Sequence, residues 1–154
     1  MNPSEVVDRI EREVFIKAQP SKVWRALTDA RQFGEWFGVI VSGPFTPGGR
    51  VQATLTGEKM TGVTFDIVVQ RMEPERLFSW RWLGHEVEPG VDASREPTTL
   101  VEFHLEAADE GTRLRVVESG FDEVPATQRP QAFRNNSEGW TIQMANIERY
   151  VTTH

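Results

Sequence analysis

A glutamate at an inward-facing position is the first residue of this chain that could do chemistry. Counting by twos from Leu114 through Val116 puts Glu118 on the same strand face as two aliphatic side chains. A carboxylate in such a place is seldom buried without a partner or a task. Desolvated, it would hold its proton to higher pH and could serve as an acid or base. The alternative is a bulge or strand end at Ser119-Gly120 that turns it outward. Around it the sequence supplies an aromatic lining. Phe65, Trp80, Trp82 and Phe103 take inward positions of alternating stretches, and Trp140 and Met144 lie on the apolar stripe of a C-terminal helix. Aromatic faces with a few polar tips suit a small-molecule pocket. The same spacing equally describes a filled core. Trp36 and Phe37 belong to a short helical piece that either packs on the sheet or rims a cavity mouth.

Other chemistries find no residues to carry them. His85, His104 and His154 are scattered, with no pair at i and i+4 and no acids placed to complete a site, so no metal is expected. With no cysteine there is neither a thiol nucleophile nor a disulfide framework. No Ser, His and acid set stands out, and no catalytic residue or cofactor is assigned. Gly48-Gly49 precedes a strand rather than a helix, which reads as a hairpin turn and not a phosphate cradle. Arg81 points away from the two indoles that flank it. The chain of 154 residues carries a net charge of −6, with Lys and Arg dispersed among acids. Neither nucleic acid nor an anionic membrane surface is an expected partner. Apolar runs are too short for membrane insertion, and MNPSEVVDRIERE has no signal-like apolar segment, so the cytoplasm is the default location.

The elements that must position these residues follow from periodicity. Glu11 to Lys17 reads as a first strand. Ser21 is a candidate N-cap for a helix whose apolar face is Val23, Trp24 and Leu27, and ARQFGEWFG continues with a second short helix stopped by Gly38. From Val39 the period becomes two. Six strands are expected: 39–45, 50–56, 63–70, 76–83, 101–106 and 113–118. Turns lie at 46–49, 57–62, 73–75 and 109–111, and an acidic loop at 85–97, a candidate lid. Phe133, Trp140, Met144, Ile147 and Val151 then recur at helical spacing over 130–151, a span of about 33 Å. Gly139 interrupts that helix. Close backbone packing is the favoured reason for it, a place in a pocket wall the other.

Four stretches taken in order, VWRALTDARQFGEWFG, PGGR, VVESGF and EGW, resemble the activator-of-heat-shock-protein-90-ATPase homologue family. That family belongs to the START-like, birch-pollen-allergen-like (SRPBCC) superfamily. The resemblance covers roughly residues 10–152. It implies one α+β helix-grip domain over 1–154: a curved seven-stranded antiparallel sheet around a long C-terminal helix, with two short helices after the first strand and a cavity between. Lipid carriers, hormone receptors and polyketide cyclases share that superfamily. The leading expectation is non-catalytic binding of a small hydrophobic or amphipathic molecule by Phe65, Trp80, Trp82, Phe103, Glu118, Trp140 and Met144, with Trp36 and Phe37 at the rim. The alternatives are a cyclase- or aromatase-like enzyme with Glu118 as acid or base, and a co-chaperone-like module that binds a chaperone partner. The eukaryotic co-chaperone that names the family has a large domain before this one. The short stretch ahead of the first strand here is closer to stand-alone bacterial members.

Overall fold

The period-two stretches pair into one antiparallel sheet of seven strands in the order β1-β7-β6-β5-β4-β3-β2. The computed structural model describes residues 9–56, 63–85, 92 and 96–154. The strands are β1 (Arg9–Ile16), β2 (Val39–Val41), β3 (Arg50–Leu55), β4 (Thr64–Glu73), β5 (Leu77–Trp82), β6 (Thr99–Ala108) and β7 (Gly111–Ser119). Two short helices, α1 (Pro20–Thr28) and α2 (Ala30–Phe37), follow β1, and α3 (Arg129–Thr153) closes the chain. The expected turn at 57–62 and most of the loop at 85–97 lie outside the described residues.

The sheet's apolar face meets α3, as the change of period requires. Ala53, Ile67, Val69, Phe78, Trp80, Val101, Phe103, Leu114 and Val116 join Trp140, Met144, Ile147 and Val151 in one core. Each large apolar side chain so removed from water contributes about 1.5–3 kcal/mol. Phe33 of α2 plugs one end, with its ring 5.3 Å from Phe45 and 5.7 Å from Trp80. Among the described residues, aromatic rings pack against one another between the sheet and the helices.

Local rules explain where the elements stop, and several boundaries differ from the sequence expectation. α1 opens with Pro20 in its first turn after Gln19, so Ser21 lies inside the helix and is not its cap. Asp29 is the cap that sequence reading passed over: its carboxylate accepts from Gln32 N at 3.0 Å and starts α2. Gly38, at φ 89°, ends α2 in the left-handed conformation that glycine tolerates best. β2 ends at Val41 and not at Phe45, because Gly43-Pro44 supplies a flexible link and a residue with no N–H to donate. Phe45 turns into the core regardless. In β4 the pairing with β5 shifts between Val69 and Arg71, a bulge beyond Val68, which itself stays in register opposite Arg81.

α3 extends one residue before and two beyond the expected 130–151. Its start is clamped by Arg129, whose guanidinium donates to the carbonyls of Phe121, Asp122 and Val124 at 2.9, 2.9 and 3.0 Å. Ala132 is buried, whereas Phe133 is half-buried and rests on Phe121, 5.4 Å between rings. The large apolar residues of the stripe are buried only from Trp140 onward. No described helix is long and apolar enough to cross a membrane.

Candidate functional site

β7 runs unbroken to Ser119, with Glu118 opposite Ile10 on one side and Val101 on the other. The bulge that would have turned Glu118 outward does not occur. Its side chain is fully buried, at 0% exposure. Oε2 accepts from Thr99 Oγ1 at 2.6 Å and from Trp82 Nε1 at 2.9 Å. Oε1 accepts from Trp140 Nε1 at 2.8 Å. Asn136 Nδ2 reaches both oxygens, at 3.1 and 3.2 Å, and donates as well to the carbonyl of Gly84 at 3.2 Å.

The sequence positions these donors by simple periodicities. Trp82 and Thr99 are opposite each other across β5 and β6. Asn136 and Trp140 are one helical turn apart and share a face of α3. Gly84 lets the chain close over the site, since a Cβ there would lie 2.5 Å from Thr99 Oγ1 and 3.2 Å from Glu118 Oε2. Beside it, His85 is buried with Nε2 3.2 Å from Glu96 Oε1.

Two effects compete on the carboxyl. Burial pushes its pKa above the usual carboxylate range, while the hydrogen bonds from Thr99, Trp82, Trp140 and Asn136 pull it back. Among the described residues no cation pairs with it. Both oxygens are taken by donors, and two of those are indoles, which accept nothing in return. The set is arranged to hold an acceptor, not to pass a proton to a ligand.

Directly outside this joint is a cleft of about 110 Å³ lined by Phe37, Trp82, Asn135, Asn136, Gly139, Trp140 and Gln143. Three rings form its wall: Trp82 and Trp140 are 5.9 Å apart, and Phe37 is 6.2 Å from each. Gly139 is part of its lining. A Cβ on Gly139 would meet nothing within 4 Å, so close backbone packing is not what this glycine serves, contrary to the favoured sequence reading. Gly139→Ala should therefore raise stability by up to about 1 kcal/mol, the helix-propensity difference, as read from denaturant melts. Larger grooves of about 430 and 500 Å³ lie on the outer sheet face and beside β2, and neither touches the carboxylate.

The structure brings together Glu118, Trp82, Trp140 and Phe37 from the candidate set. Trp80 and Phe103 are buried in the core behind them, each at 0% exposure, and Met144 is buried further along α3. Phe65 is half-buried against Trp82, 5.6 Å between rings, outside the cleft. Trp36 is buried, and its indole donates to the carbonyl of Ala26 at 2.8 Å. Sequence reasoning missed Thr99, Asn136, Gly84 and Gln143. Only the i, i+4 spacing of Asn136 and Trp140 signalled any of them.

Comparison with known proteins agrees with this geometry at the level of fold. A family model described as Activator of Hsp90 ATPase homolog 1-like protein matches residues 17–152. No curated protein sequence matches the chain. Among solved structures, DynU16, from the dynemicin biosynthetic locus, is 28% identical with a TM-score of 0.73. The match covers 95% of this chain and 48% of that one, so the chain spans about half the length of DynU16. MLL2253 from Mesorhizobium loti is 25% identical with a TM-score of 0.75, over 94% of this chain and 97% of that one. The Aha1 dimer from Colwellia psychrerythraea is 20% identical with a TM-score of 0.69, over 91% and 92%, a likeness of fold alone.

Proposed function

Since the chain belongs to the Activator of Hsp90 ATPase homolog 1-like family, with a helix-grip fold whose core is packed with aromatic rings, we propose that it binds a small apolar or amphipathic molecule, without catalysis, in the cleft between β5 and α3. The observation that carries this reading is Gly139. A glycine in the middle of a 25-residue helix costs about 1 kcal/mol against alanine, and this one lines the ring-walled cleft with open space where its side chain would be. Glu118 supports binding over acid–base chemistry, because a general acid or base must reach the substrate's proton. Here the carboxylate is covered by four donor side chains and fixes the two indoles in place.

The test is a titration with a neutral apolar probe, 2-naphthol, followed by the indole N–H resonances of Trp82 and Trp140. Saturable shifts are expected in the wild type, with affinity lowered at least about tenfold in Gly139→Leu, whose side chain occupies the cleft. Absence of saturable shifts in a folded wild type would overturn the reading. A chaperone partner held through the outer surface would bind equally well to both proteins.

A further inference from the structure

With the cleft reading as premise, we infer that the occupant carries a cationic head, an ammonium or quaternary ammonium group on an amphipathic molecule. Five features of the same site converge on this class. The wall is made of rings that carry π faces, those of Trp82, Trp140 and Phe37. Such faces attract cations, and indole does so best. Trp82 and Trp140 each donate their N–H to the Glu118 carboxylate. That bond shifts electron density into the indole and makes its face more negative, as hydrogen-bonded groups polarise one another.

The carboxylate itself is held only by neutral donors, with no cation paired to it among the described residues. Once the carboxyl is ionised, which its burial defers to higher pH than usual, the charge lies one side chain beneath the cleft, where the surroundings screen it less than water would. Among the described residues the lining contains no Lys or Arg that could receive an anion. Finally, the amide of Asn136 must turn its nitrogen toward Glu118, which leaves its oxygen as an acceptor. Gln143 donates one amide N–H to the carbonyl of Phe37 at 3.0 Å, and its oxygen accepts from Asn146 Nδ2 at 3.1 Å. A neutral apolar group gains from the rings alone, a cation gains from the rings and the carboxylate, and an anion is repelled.

Three probes of similar shape separate these cases: choline, its neutral carbon isostere 3,3-dimethylbutan-1-ol, and the anion 3,3-dimethylbutanoate. They are titrated calorimetrically into the folded wild type in mildly alkaline buffer. Choline is expected to bind at least about tenfold more tightly than the alcohol, with the carboxylate weakest. Gly139→Leu should abolish saturable binding of choline, which locates the site. Glu118→Gln should bring choline and the alcohol close to parity. If that variant does not fold, the wild-type series decides alone. Equal or tighter binding of the alcohol would overturn the cationic class and leave the cleft reading standing. No saturable binding of any of the three, nor of 2-naphthol, would overturn both. Choline binding unchanged by Gly139→Leu would place the cation elsewhere and also overturn the inference.

Discussion

Trp140→Ala is expected to lose at least about 3–5 kcal/mol of folding stability, the range for emptying a large aromatic site in a core. An indole on the wall of a large cavity would lose less, because one of its sides would already lack packed partners. Trp140 is not in that position. It is 3% exposed, with ring contacts to Phe37 at 6.2 Å, Trp82 at 5.9 Å and Phe103 at 5.6 Å. Its N–H also serves Glu118 Oε1. Truncation therefore opens a hole and strips one donor from a buried carboxylate, and the second loss alone is of the order of 1–3 kcal/mol. Trp140→Phe weighs the donor more heavily, since it keeps an aromatic ring in the site while removing the N–H and only the pyrrole part of the indole. Urea melts of the three proteins give the comparison. A loss below about 2 kcal/mol for Trp140→Ala would mean that the indole is not a packed member of the core.

The second large effect is on pH dependence. Burial raises the Glu118 pKa in the fold, against the opposing hydrogen bonds. Between its unfolded and its folded pKa the native state holds a proton that the unfolded state has released. The stability associated with the protonated form is thus fully present below the unfolded value, about 4.3. It is lost as pH rises through the folded value, by up to about 1.4 kcal/mol per pH unit, and is level beyond. Glu118→Gln removes that dependence. The variant should be no more stable than wild type in acid, where a protonated carboxyl and an amide present similar groups to the four donors. It should become the more stable protein toward neutral pH. Melts of both proteins across that range test the sign. A wild type that instead gains on Glu118→Gln as pH rises would show the hydrogen bonds to outweigh desolvation.

The parts of this protein that were legible in sequence are those fixed by short periods. Leu114, Val116 and Glu118 alternate, and that made the carboxylate a candidate for the inner face, with an outward bulge as the alternative. Trp140, Met144, Ile147 and Val151 recur at helical spacing, and that oriented α3. What periodicity does not encode is which inward side chains touch. Trp82, Thr99, Asn136 and Trp140 lie 36, 19, 18 and 22 residues from Glu118, and only sheet register and helix docking bring them to one point. Polar residues such as Thr99 and Asn136 carry no apolar pattern to mark them as inward. The packing of rings in the interior was equally hidden. Phe33 and Phe45 come from α2 and from the segment after β2, and their entry among Phe78 and Trp80 depends on how α2 and that segment meet the sheet.

The joint at Glu118 also bears on how the molecule opens. It ties the ends of β5 and β6 to the first half of α3 through one group that tolerates poorly the loss of any donor. A partial opening that lifts α3 from the sheet must either leave a desolvated carboxylate short of donors or admit water to all of them together. The region then behaves as one cooperative unit rather than a set of independently fraying ends. In hydrogen exchange, the indole protons of Trp82 and Trp140 should trade with solvent in a single common event, although they reside on a strand and a helix 58 positions apart.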